Sequence, residues 1–129
     1  MKRFLIVAAL AATATWSQAQ AQAPTPAPAQ ATLHARTASE LAELCGTKPT
    51  DPASAARLNF CLGYGQATLD AETKQAAGRK SYCIPSPSPT RQATMAEFAG
   101  WVRATPSIAG GNSQEALAKF MLQRFPCKT

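Results

Sequence analysis

Histidine is almost absent from this 129-residue chain, and acidic residues number only seven. The one histidine, His34, follows a Pro-rich segment in which we expect no fixed structure. A serine or cysteine nucleophile needs a base held beside it, and His34 is poorly placed for that. The acidic residues fit helix caps or solvated helix faces, so a glycosidase-like carboxylate pair is not indicated. We therefore predict no catalytic residues and a protein that is not an enzyme.

The motifs that hold metals, haem or phosphate are also missing. The four cysteines include no C-x-x-C pair, which excludes thioredoxin-like redox sites and haem attachment. Their spacing does not suit zinc, and there is no Gly-rich phosphate-binding loop. We expect neither a metal nor a cofactor.

Basic residues exceed acidic ones, but they form no cluster. Thirteen Lys and Arg oppose seven Asp and Glu, and only Arg79-Lys80 are adjacent in the body of the chain. Nucleic-acid grooves combine basic clusters with aromatic residues, so we expect no nucleic-acid partner. The mild positive charge favours either a solvated surface or attraction to an acidic partner.

No apolar run is long enough to cross a membrane. Lys2 and Arg3 precede an apolar stretch of residues 4–14, and small residues follow it. This is the pattern of a secretory signal peptide, which we place at residues 1–21, with a periplasmic mature protein and no stable membrane insertion. Residues 22–35 are rich in Ala, Gln and Pro and predict a linker. Residues 36–129 then form one small domain.

An even number of cysteines in an exported domain of this size indicates two disulfides. The cysteines are Cys45, Cys61, Cys83 and Cys127. Three pairings are possible. We prefer Cys45–Cys61 with Cys83–Cys127, because the first closes the connection between two predicted helices and the second joins a Pro-rich loop to the C-terminal tail.

Cap residues and apolar periodicity predict an all-α domain of four helices. Thr37 with Glu40 forms a capping box, and Asp51-Pro52, Thr90 and Asn112 begin the other three helices. Apolar stripes follow each cap, and no alternating β pattern is present. The apolar residues expected in the core of the last two helices are Met95, Phe98, Ala99, Val102, Leu117, Phe120, Met121 and Phe125.

The second helix, from Pro52 to about residue 74 or 77, is expected to be the centre of the fold. Its apolar face contains Leu58, Cys61, Leu62, Gly65 and Leu69. Gly63 and Gly65 each cost about 1 kcal/mol in a helix relative to alanine. Such a cost predicts that another helix approaches closely at both positions.

A partner-binding surface is expected beside the Gly-containing segment 106–113, which we interpret as a flexible loop. Trp and Arg are frequent anchors of protein interfaces. We select Trp101, Arg103, Ser107 and Asn112 as the candidate contacts. Tyr64 is expected to pack under the second helix, and Tyr82 to cover the disulfide at Cys83.

Several short motifs occur together in a familiar order. They are Glu43-Leu44-Cys45, Cys61-Leu62-Gly63-Tyr64-Gly65, Asp70-Ala71, Tyr82-Cys83-Ile84-Pro85, Thr105-Pro106 and Phe125-Pro126-Cys127. Over residues 41–127 the chain resembles the Rap/Tai family of type VI secretion immunity proteins. The family motif carries over to the four cysteines and to Gly63, Tyr64 and Pro85, as structural residues.

The resemblance implies a protein that binds a peptidoglycan-cleaving toxin, usually an amidase, in the periplasm and blocks its active site. Two other classes remain open. A periplasmic acid-stress chaperone is also small, helical and disulfide-bonded, but seven acidic residues offer little pH-sensitive chemistry. A small helical binding protein or ligand carrier is the other alternative. The oligomeric state is open, and a homodimer is possible.

Overall fold

The computed structural model describes residues 33–77 and 81–127. The predicted signal peptide, most of the predicted linker and the Arg79-Lys80 pair lie outside these residues. Five helices are present: α1 (Ala38–Cys45), α2 (Pro52–Gln75), α3 (Arg91–Ala104), α4 (Pro106–Ala109) and α5 (Ser113–Arg124). The described part of the chain contains no β-strand, which confirms the all-α prediction. None of its helices is long and apolar enough to cross a bilayer.

The predicted helix starts are confirmed by side-chain caps. Thr37 and Glu40 form the capping box of α1, where the Glu40 backbone N–H donates to Thr37 Oγ1 over 3.2 Å. Asp51 caps α2 with Pro52 in its first turn, and Thr90 caps α3. These side chains satisfy backbone N–H groups that have no partner within the helix.

The centre of the fold is α1 packed against α3. Each of these two helices contacts every other helix, and their mutual contact is the most extensive in the domain. The prediction that α2 forms the centre is wrong. Only Leu58, Cys61, Gly65 and Thr68 of its 24 residues are buried, whereas five of the eight residues of α1 are. A short helix of mostly apolar residues fits between neighbours on several sides, and a long helix with one narrow apolar face covers the core from outside.

The core contains every apolar residue that the periodicity of the last two predicted helices assigned to it. All are at most 6 % exposed, from Met95 and Phe98 of α3 to Phe120 and Phe125 at the C-terminal end. Leu33 and Ala35 also contact this core, so the folded domain includes residues ahead of α1.

The two glycines of α2 have different surroundings. A Cβ on Gly65 would lie 2.9 Å from the sulfur of Met95, so the close approach of α3 predicted at this position is confirmed. A Cβ on Gly63 would meet no atom within 4 Å, and Gly63 is exposed. The prediction of close packing at Gly63 is therefore wrong, because this position faces away from the rest of the domain.

Two disulfides join the helices with the preferred pairing, Cys45–Cys61 and Cys83–Cys127. The first is buried and connects the end of α1 to the middle of α2. The cysteines of the second are both exposed. This second bond ties the chain that enters the Pro-rich segment to the residues after α5, where the Cys83 N–H also donates to the Phe125 carbonyl over 2.8 Å.

Candidate partner-binding surface

The segment 106–113 is ordered by hydrogen bonds rather than being a flexible loop. Pro106 to Ala109 form α4, in which the Ile108 N–H donates to the Thr105 carbonyl over 3.0 Å. The Gly111 N–H then donates to the Ile108 carbonyl over 2.9 Å. The prediction of a flexible loop here is wrong, while the four predicted helices are all present and α4 is a fifth. A four-residue helix is too short to show apolar periodicity, and the Gly110-Gly111 pair that follows it is typical of a loop.

The end of this segment is attached to the residues that begin α1. The Ala38 N–H donates to the Gly111 carbonyl over 2.9 Å, and the Ser113 N–H donates to the Arg36 carbonyl over 3.0 Å. Thr37 and Asn112 form an isolated antiparallel bridge between these bonds. This connection was not predicted from the sequence, because neither stretch has a strand-like pattern.

Ser113 is the polar centre of that connection and was also missed. Its side chain is buried, and its hydroxyl donates to the Ala35 carbonyl. The Tyr64 hydroxyl lies 2.6 Å from the Ser113 Oγ. Three separate stretches of chain therefore meet at one serine. Tyr64, which was expected only to pack under α2, has a specific polar partner.

A groove runs between α1, the end of α3 and α4. Its walls are mostly apolar, and two charged residues, Glu43 and Arg103, lie on it. The remaining lining residues are Ser39, Ala42, Val102, Pro106 and Ala109. Arg103 lies beside Gly46 at the end of α1, while Asn112 lies beside Thr37 at the start of α1.

The four candidate contact residues do not share one face. Arg103 is exposed and lines the groove, and Ser107 is an exposed residue of α4. Asn112 is exposed, and its side chain caps α5 by accepting from the Gln114 and Glu115 N–H groups. Trp101 is half-buried and packs against Phe98 and Phe120, with ring centroids 6.3 and 5.6 Å apart. Residues two apart on a helix point about 200° from each other, so Trp101 supports the core while Arg103 faces α1.

The remaining motif residues have mainly structural surroundings. Pro85 is exposed in the segment between Cys83 and α3. Tyr82 is half-buried, and burial raises the pKa of its hydroxyl. With Glu72 and Leu122, it lines a second groove between α2 and α5.

The carboxylates with shifted pKa values also have structural explanations. Backbone N–H donors lower the pKa of Glu40 and of Asp51 at the starts of α1 and α2. A hydrogen bond from Arg124 lowers the pKa of Glu97, and this exposed pair has an N–O distance of 2.6 Å. Burial raises the pKa of Glu72. Within residues 33–77 and 81–127, no group of three or more His, Cys, Asp or Glu residues could hold a metal ion.

The fold and the two disulfides define a small helical domain stabilised by cross-links. The sequence matches the family of Rap1a immunity proteins over residues 37–127. This match covers well over half of the chain and includes all five helices and both disulfides, so the chain belongs to the Rap1a immunity protein family. No curated protein and no solved structure gives a significant match.

Proposed function

We propose that this chain is a periplasmic immunity protein that binds a peptidoglycan-cleaving, amidase-type effector of type VI secretion and blocks its active site. The observation that carries the proposal is the family match from Thr37 to Cys127, the last described residue. Immunity proteins act by binding a toxin, and two disulfides suit an oxidising compartment. An N-terminal signal peptide, expected from residues 1–21, would deliver the chain there.

We assign the toxin contact to the α4 surface, defined here as Arg103, Ser107 and Asn112 together with the groove that Arg103 lines. Backbone bonds hold this segment at both ends, at Thr105 and at Ala38. A segment that is already ordered loses little conformational entropy when it enters a cleft, which favours tight binding. Trp101, a residue of α3, contributes indirectly by packing against Phe120 of α5.

Inhibition of purified amidases tests this proposal. The oxidised chain is mixed with amidase-type effectors encoded beside it, and peptidoglycan cleavage is followed. We expect stoichiometric inhibition of one effector. The Ser107→Arg variant should inhibit this effector more weakly, because it places a large charged side chain on α4.

Ser88→Arg is the matched control. Ser88 is also exposed but precedes α3, whereas Ser107 follows it. A helix of 14 residues is about 20 Å long, so the two sites are far apart. If both variants lose inhibition equally, or if neither variant loses it, the assignment of the toxin contact to the α4 surface is contradicted. Absence of inhibition by the unaltered chain contradicts the amidase target.

A further inference from the structure

Arg103 is exposed and has no charged partner in the described part of the chain. Its guanidinium lies against Gly46, so closely that a Cβ at Gly46 would overlap Nη2. Gly46 has φ −82° and ψ −2°, a conformation that any residue adopts. The backbone therefore does not require glycine here. A methyl group at this position would instead displace the flexible end of the Arg103 side chain.

Some charged side chains in the described residues have partners within the domain, but Arg103, like several other basic side chains, does not. Arg124 pairs with Glu97, and Glu40 and Asp51 accept from backbone N–H groups. Arg103 has no hydrogen bond or ion pair within residues 33–77 and 81–127. Glu43 borders the same groove but does not form an ion pair with it.

The surroundings of Arg103 suit one kind of ligand. A guanidinium offers several N–H donors in a planar fork that matches the two oxygens of a carboxylate. Beside it, Val102, Pro106 and Ala109 supply an apolar wall. A charged hydrogen bond next to such a wall is less screened by water than one on an open surface. An acidic side chain of a protein partner, with an apolar neighbour, fits both features.

We propose that Arg103 binds an Asp or Glu carboxylate of the toxin, and that Gly46 positions the guanidinium for this contact. This inference rests on the proposed function and names the chemistry of the partner at the α4 surface. Arg103 is the contact residue, and Gly46 acts only through it.

The test is calorimetric binding of oxidised variants to the amidase effector that the unaltered chain inhibits. Arg103→Ala should raise the Kd at least about tenfold, because it leaves the toxin carboxylate without its partner. Arg103→Lys should also weaken binding, since an ammonium group cannot form the two-point contact. Gly46→Ala should weaken binding although every charge is retained, because its methyl group displaces the guanidinium.

Gly63→Ala is the matched control, with the same change at an exposed glycine that has open space around it. It should leave the Kd unchanged. The Glu43→Gln variant should bind the effector equally well or more tightly. It removes from the groove a negative charge that would repel the toxin carboxylate. Thermal unfolding of each variant confirms that it is folded.

Unchanged affinity of Arg103→Ala overturns this inference while leaving the proposed function in place. Weaker binding by Glu43→Gln, with Arg103→Ala unchanged, also overturns it and indicates a cationic contact instead. If the unaltered chain binds no amidase effector, the proposed function and this inference both fail.

Discussion

The Tyr64 hydroxyl on α2 lies 2.6 Å from the Oγ of Ser113, the first residue of α5. Because the Ser113 hydroxyl donates to the Ala35 carbonyl, the Tyr64 hydroxyl is the donor in this second bond. This short chain of hydrogen bonds connects α2, α5 and the residues ahead of α1. It also fixes the end of the segment that contains α4.

Removing the Ser113 hydroxyl should destabilise the domain more than removing that of Tyr64. Ser113→Ala leaves a carbonyl and a phenol without their partner, at a cost of about 1–3 kcal/mol. Tyr64→Phe removes a single bond and should cost about 0.5–1.5 kcal/mol. Urea unfolding measures both. Ser88→Ala, at an exposed serine, is the control and should change little. Equal stability of Ser113→Ala and the unaltered chain would contradict this role.

The two glycines of α2 should respond in opposite directions to alanine. Gly63→Ala should stabilise the domain by about 0.5–1 kcal/mol through helix propensity alone. Gly65→Ala gains the same term but places a methyl group 2.9 Å from the Met95 sulfur, inside the core. Overpacking of this kind costs about 1–3 kcal/mol. Thermal unfolding should therefore rank Gly63→Ala above Gly65→Ala, and the reverse order would contradict the close approach of α2 and α3.

The two disulfides should differ in their accessibility to reductant. Both stabilise the domain by restricting the unfolded chain, by about 3 kcal/mol for a separation of 16 residues and about 4 kcal/mol for 44. Cys83 and Cys127 are exposed, whereas Cys45 and Cys61 are buried. Brief treatment with a mild reductant, followed by alkylation and mass spectrometry, should label Cys83 and Cys127 first. Earlier labelling of Cys45 would contradict the described packing.

Acid should weaken the start of α1. The pKa of Glu40 is lowered in the folded state by the Thr37 and Arg36 N–H groups, so the unfolded state takes up a proton first as the pH falls. The stabilisation is complete above the ordinary glutamate pKa of about 4.5 and is lost as the pH falls through the lowered value. In urea unfolding, the stability lost in Glu40→Gln should therefore be larger at pH 7 than at pH 3.

The pKa of Glu72 is shifted in the opposite direction to that of Glu40, so Glu72 serves as the comparison. Burial raises its pKa, so the folded state holds the proton more strongly and its stability decreases as the pH rises through that range. Glu72→Gln should therefore be at least as stable as the unaltered chain at pH 7, and the difference should shrink at pH 3. The same pH trend for both variants would contradict the assigned causes.

Local sequence signals predicted much of this fold. The caps at Thr37, Asp51, Thr90 and Asn112 depend on a few neighbouring residues, and all four are confirmed. The pairing Cys45–Cys61 followed from the short connection between two helices. Such features are encoded within a few turns of chain, and so a single sequence contains enough information to find them.

The features that the sequence did not predict depend on contacts between distant residues. Nothing near Ser113 indicates that Ala35 and Tyr64 will meet it, at separations of 78 and 49 residues. Nothing near Gly46 indicates the approach of Arg103. The central position of α1 likewise depends on how four other helices pack around it. These contacts determine the geometry of the α4 surface.

Protection of living cells is the most direct test of the central claim. Amidase-type effectors encoded beside this chain are exported to the periplasm of a test bacterium, with or without the full chain, and lysis is followed. We expect the chain to prevent lysis by one effector. A chain without residues 1–21 should not protect, because it remains in the cytoplasm. Lysis by every such effector in cells that export the oxidised chain would contradict the assignment of an amidase-neutralising immunity protein.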